Sequence, residues 1–201
     1  MQEEGLLFMT ETGNRGRRIV LASASPRRRE LLAGMGYEFT VCTTDVDETA
    51  SGAPEAQVIT LARRKADAAC ALCPDAVVIA ADTLVALEGR ALGKPADDAE
   101  ALAMLRALSG RTHDVFTGLC VTDTASGRRE LCAVGTRVRF RPLSEEEIAA
   151  YVATGEPRDK AGAYAIQGGA GAFVEEYIGS YSNVIGLPAE RLGEILDEML
   201  G

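Results

Sequence analysis

The spacing of apolar residues changes several times along the chain, and each change marks an element. Ile19-Val20-Leu21-Ala22 is a short apolar run that meets Ser23-Ala24-Ser25-Pro26-Arg27-Arg28-Arg29. This predicts a strand followed at once by a helix, together spanning about 18–36. A second strand is expected from Phe39 to Cys42, then an acidic loop containing Asp45, Asp47 and Glu48. From about Pro54 to Leu72 the period becomes helical, with Val58, Leu61, Ala62, Ala69 and Leu72 on one stripe. Lys65 falls on that stripe, so it either snorkels to the surface or points into a site. Arg63 and Arg64 fall off it and are expected to face solvent. Ala76 to Leu87 is almost continuously apolar, the pattern of a central strand covered on both faces. A helix is expected over Asp97–Leu108, stopped by Gly110. Antiparallel strands follow at about His113–Asp123 and Arg129–Arg141, extending one lobe. Arg137, Arg139 and Arg141 alternate with Val138 and Phe140, as on a half-exposed strand. Ser144 is expected to cap a helix beginning Glu145-Glu146-Glu147. A glycine-rich segment covers Ala161–Gly171, Phe173–Ile178 reads as a strand, and Pro188–Leu200 as an amphipathic helix with Leu192, Ile195, Leu196 and Met199 inward. Strands and helices interleave, so the fold class is α/β with a mixed sheet. Met1–Arg18 is polar and is read as a disordered leader, leaving 19–201 as one domain.

Charge and composition narrow the function. The 201 residues carry a net charge of −9, and no apolar run reaches the length of a membrane span. A focused cationic site on an acidic chain suits a small anionic ligand and argues against a nucleic-acid track. The N-terminus lacks the order of a signal peptide, so the cytoplasm is the expected compartment. Five cysteines and a single histidine, His113, lack zinc-site spacing. Cys70 and Cys73 sit at the end of a predicted helix, where a structural role is expected, not a redox one.

Two places suggest chemistry. At Ser25-Pro26 the second residue suits the first helical position, Ser25 suits the N-cap, and the opening N–H groups would face an anion. Arg27 and Arg28 add fork-shaped donors that match phosphate oxygens. The plain alternative is a capped helix whose arginines face water. The second place is Asp82-Thr83, which interrupts the apolar strand. A carboxylate there is costly unless paired, hydrogen-bonded or metal-bound, although it could instead cap a turn. Gly93-Lys94-Pro95 presents a lysine at a turn. Around Gln167, glycines allow close backbone approach to a ligand, or simply make a flexible surface loop.

In order along the chain, Leu21-Ala22-Ser23-Ala24-Ser25-Pro26-Arg27-Arg28, Leu61-Ala62-Arg63-Arg64-Lys65-Ala66, Ala81-Asp82-Thr83, Gly93-Lys94-Pro95, Leu108-Ser109-Gly110-Arg111-Thr112-His113, Asp159–Gly168 and Gly179–Pro188 resemble the Maf family of nucleoside triphosphate pyrophosphatases. The resemblance covers nearly everything after Arg18. It implies a mixed twisted sheet in two lobes around a central cleft, similar to the inosine triphosphate pyrophosphatase-like fold. It implies metal-assisted hydrolysis of a nucleoside triphosphate to the monophosphate and pyrophosphate, with Mg²⁺ or Mn²⁺ as cofactor. On this chain it makes Asp82 the general base, Glu48 and Asp82 the metal ligands, and Ser23, Arg27, Arg28, Lys65 and Lys94 the triphosphate grip. Arg28, Thr83 and Gln167 are similar to the dTTP/UTP branch; a 7-methyl-GTP branch looks different there. The neutral amide of Gln167 suits the mixed donor and acceptor edge of uracil or thymine. A homodimer is implied by the same resemblance. The rival readings are a 7-methyl-GTP pyrophosphatase and a nucleotide-binding regulator of cell division without turnover.

Overall fold

The computed structural model describes residues 13–201. Of the expected leader, residues 1–12 lie outside the described residues. In the remainder, Asn14 exchanges hydrogen bonds with the backbone of Glu38, and Arg17 pairs with Asp123.

A single seven-stranded sheet organises the chain in the order β2-β1-β3-β5-β6-β7, with β4 added beside β3. β1 (Arg18–Leu21) runs parallel to the two-residue β2 (Thr40–Val41) and to β3 (Ala76–Leu87). β4 (Arg90–Leu92), β5 (Thr112–Asp123), β6 (Arg129–Phe140) and β7 (Val174–Ile178) are antiparallel to their neighbours. The sheet is therefore mixed, as the interleaved pattern predicts. The 113–141 pair does not extend one lobe alone: β3, β5 and β6 are each 12 residues long and run through both lobes. β4 and the short helix α5 (Tyr181–Ile185) have no counterpart in the sequence reading.

Alternation along β3 sorts the cores. Val77, Ile79 and Ala81 face a cluster built with Leu32 of α1 (Pro26–Gly34) and Leu192, Ile195 and Leu196 of α6 (Ala189–Leu200). Further along the same face, Val85 and Leu87 join a second cluster. It contains Leu105 and Leu108 of α3 (Asp98–Leu108), Ile148 and Tyr151 of α4 (Glu145–Ala153), and Tyr164, Ile166 and Phe173. On the opposite face, Val78 and Ala80 pack under Ala62, Ala66 and Ala69 of α2 (Pro54–Cys70). The two lobes are thus two cores at opposite ends of one sheet face. Leu72, expected on the α2 stripe, is 66% exposed because the helix ends at Cys70 before the stripe reaches it. Ser144 caps α4 as expected, with a complete capping box to Glu147. Arg137 and Arg139 face outward, and Val138 and Phe140 are buried. All five cysteines are free thiols.

Candidate active site

Between the two cores opens a cleft of about 930 Å³, and every site residue expected from sequence lines it: Ser23, Arg27, Arg28, Glu48, Lys65, Asp82, Thr83, Lys94 and Gln167. The sheet itself creates the opening. Pairing of β3 with β1 stops at Leu21↔Ile79, and pairing with β4 begins only at Val85↔Leu92. Asp82 and Thr83 sit in the gap between those neighbours. β3 continues unbroken through them, so the interruption lies in the flanking strands and not in β3.

Successive residues of a strand point to opposite faces, and the gap lets both faces reach one cleft. Asp82 turns toward α2, where Lys65 Nζ donates to its Oδ1 at 2.6 Å. The same ammonium lies 2.8 Å from Glu48 Oε1. Lys65 therefore points into the site, and Asp82 has the partner that its place in an apolar strand requires. The salt bridge to Lys65 holds the Glu48 carboxyl below its ordinary 4.5. Of the acidic loop, only Glu48 is drawn in. Asp47 folds back onto the Thr49 N–H and hydroxyl, at 2.8 and 2.6 Å. Arg64, expected to face solvent, donates to the carbonyls of Asp47 and Thr49 and so grips the backbone on both sides of Glu48.

Thr83 turns the other way. Its hydroxyl meets Thr117 Oγ1 at 2.9 Å and accepts from Arg28 Nη2 at 3.1 Å. Arg28 also donates through Nε to the Gly186 carbonyl at 2.7 Å and through Nη1 to Ser23 Oγ at 3.3 Å. Burial pulls the Arg28 pKa below its ordinary value, and the nearby Asp82 charge opposes this. Three of its five N–H groups are engaged, so the guanidinium is fixed with two donors left over. Ser23 Oγ accepts from Arg28 and from the Ser25 N–H at 3.2 Å, which leaves its own hydrogen to donate.

Ser25 occupies the α1 N-cap with Pro26 next to it, as expected, but its side chain makes no capping bond. The hydroxyl therefore does not satisfy the opening N–H groups, and they remain available at the cleft, as the sequence leads one to expect. Arg27 is half-buried beside them. On the far wall the Gly162 N–H donates to the Gly93 carbonyl at 3.0 Å, tying the glycine-rich segment to the turn that exposes Lys94. A Cβ at Gly162 would meet Val85 at 2.8 Å, and its φ is +66°, so glycine is required there.

The cleft also contains residues that sequence reasoning did not single out: Gln57, Glu156, Asp159, Lys160 and Tyr164. Asp159 and Lys160 were legible only as part of the Asp159–Gly168 motif. Glu156 gives no local signal, because its partners lie at Tyr151 and Gly169.

Glu48 and Asp82 converge on one cation, the Lys65 ammonium. Among the described residues no group of three or more His, Cys, Asp or Glu side chains could enclose a metal. Two carboxylates without a full protein cage fit a hard divalent cation that keeps water and phosphate oxygens, as Mg²⁺ does. No helix among the described residues is long and apolar enough to cross a membrane.

A dTTP/UTP pyrophosphatase of Pelotomaculum thermopropionicum is 53% identical over 180 residues, covering 89% of this chain and 94% of that protein. Those of Geobacter sulfurreducens and Myxococcus xanthus are 52% and 56% identical, covering 90% and 88% of this chain and 95% and 88% of their own lengths. The model of the family described as "Maf-like protein" matches residues 18–199. With that match spanning the whole sheet and every wall of the cleft, the chain belongs to the Maf family.

Proposed function

We propose that this protein hydrolyses dTTP and UTP to the monophosphate and pyrophosphate. The observation that carries the reading is Asp82, held by Lys65 in the sheet gap and facing a wall of cationic and N–H donors. Lys65 engages Oδ1 of Asp82, which leaves Oδ2 to accept a proton from the attacking water. The water oxygen bonds to the α-phosphorus, the bond from that phosphorus to the bridging oxygen breaks, and pyrophosphate leaves with the electron pair. Arg27, the spare donors of Arg28, the Ser23 hydroxyl, Lys94 and the uncapped N–H groups of α1 bind the triphosphate oxygens and stabilise the charge that builds on them. Glu48 and Asp82 would hold Mg²⁺ or Mn²⁺, which supplies charge neutralisation and acidifies bound water. Gln167, exposed in the cleft, offers one donor and one acceptor to the pyrimidine edge. Thr83 holds Arg28 in place by accepting from its Nη2 at 3.1 Å.

The test is pyrophosphate release from dTTP, UTP, CTP, 7-methyl-GTP and ITP with Mg²⁺ or Mn²⁺, run beside Asp82→Asn. Turnover of dTTP and UTP is expected, falling by about 10²- to 10⁴-fold in the variant while nucleotide binding persists. Turnover confined to 7-methyl-GTP would overturn the base preference. Binding without turnover of any nucleotide would favour the regulator.

A further inference from the structure

The side chain that reads the base in this proposal is itself unsupported. Gln167 is exposed, and no hydrogen bond to another described residue holds its amide. Its position depends on the backbone that carries it, and that backbone is fastened on both sides. Two residues before Gln167, the Ala165 N–H donates to the Tyr151 hydroxyl at 3.1 Å. Two residues after it, the Gly169 N–H donates to Glu156 Oε2 at 3.2 Å. The two anchors are joined, because the Tyr151 hydroxyl donates to Glu156 Oε1 at 2.8 Å. Within the loop, the Gly168 N–H closes onto the Ala165 carbonyl at 3.0 Å.

Packing makes this arrangement stiff. Tyr151 is 5% exposed and stands edge-on to Phe173, with ring centroids 5.2 Å apart. A Cβ on Gly168 would lie 2.0 Å from Glu156 Oε1, and one on Gly169 would lie 3.2 Å from the Tyr151 ring. The carboxylate and the ring therefore occupy the space that side chains at 168 and 169 would need, and the loop lies directly on them. Neither Tyr151 nor Glu156 bonds to Asp82, Lys65 or Glu48.

We propose that Tyr151 and Glu156 form a clamp that sets nucleobase discrimination by fixing the 165–169 loop and hence the Gln167 amide. Both are positioning residues that act through the loop: Tyr151 is buried behind it, and Glu156, at the cleft wall, has both oxygens engaged by Tyr151 and Gly169. The inference rests on the reading that Gln167 contacts the pyrimidine. A hydrogen bond is lost when its partners shift by a fraction of an ångström to an ångström, so loosening the loop weakens base recognition before it affects the chemistry.

The experiment measures kcat and KM for UTP and CTP in the full-length protein and in Gln167→Ala, Tyr151→Phe and the double variant, with melting curves confirming that each is folded. Tyr151→Phe removes one hydroxyl and leaves the Ala165 N–H and Glu156 Oε1 without that partner. It is expected to raise KM for UTP about tenfold, the worth of one well-made hydrogen bond. It should also lower the UTP-over-CTP preference by a similar factor, with kcat within about twofold. The double variant is expected to lose no more preference than Gln167→Ala alone, because the clamp acts only through that side chain. Glu156→Gln has one accepting oxygen in place of two and should fall between wild type and Tyr151→Phe; it also serves if Tyr151→Phe does not fold. Lost preference in Gln167→Ala with preference intact in the clamp variants, or an additive loss in the double variant, overturns the clamp and spares the base reading. Unchanged preference in Gln167→Ala removes the base reading and the clamp with it.

Discussion

Lys65 shows how far one side chain can be read from sequence. Its place on an apolar stripe leaves two outcomes open, snorkelling or entry into a site, and a carboxylate stranded in the β3 run needs a partner; the 2.6 Å contact resolves both. Arg64 keeps 38% of its side chain exposed, as expected, but a helix wheel does not show that the acidic loop folds back onto it. Tyr151 and Glu156 were invisible because their roles depend on a loop more than ten residues away. His113, which the proposed chemistry does not use, is 1% exposed; its Nε2 meets Tyr164 Oη at 2.8 Å and its Nδ1 has no partner. Burial lowers its pKa from 6.5 to about 4. Above pH 6.5 neither folded nor unfolded chains protonate it. Between 6.5 and about 4 only the unfolded chain takes up the proton, so stability falls as pH falls, by roughly 3 kcal/mol over that interval. Urea unfolding from pH 7.5 to 4.5 should show the loss, and His113→Gln should flatten the curve above pH 5. It is the only histidine in the chain, so an unchanged slope in that variant would assign the loss to carboxylates.

At the scale of elements, long periodic segments were legible and short ones were not. β3, β5, β6, α3 and α6 follow from their patterns. β4, with three residues, and α5, with five, are too short to establish a period. The sheet gap was also out of reach, since it depends on where two separate neighbours of β3 stop pairing. How α2 seats on the sheet decides whether Lys65 reaches Asp82, and Gly118 of β5 governs that seating. A Cβ there would lie 2.1 Å from the Val58 carbonyl oxygen, which belongs to backbone and cannot rotate away. Gly118→Ala is expected to cost about 3 kcal/mol or more through overpacking. By lifting α2 it should also reduce kcat more than a comparable loss of stability elsewhere in the fold. Thermal melts alongside turnover would check this, and a variant with native stability would show that the helix can move without penalty.

Across the whole molecule a net charge of −9 surrounds a cleft holding Arg27, Arg28, Lys65, Lys94 and Lys160. The field that attracts a triphosphate is therefore local and short-ranged. Raising salt from about 0.05 to 0.5 M shortens the Debye length several-fold, and KM for UTP is expected to rise several-fold with kcat nearly constant. A salt-independent KM would mean that the cations act only in contact. The three 12-residue strands have a mechanical consequence. Because β3, β5 and β6 pass unbroken from one core to the other, swinging the lobes together would shear a continuous hydrogen-bond ladder. Closing the cleft would have to bend the sheet itself. With the sheet continuous and the Gln167 loop fastened to Tyr151 and Glu156, selectivity among bases has to come from a site that is already formed when nucleotide arrives.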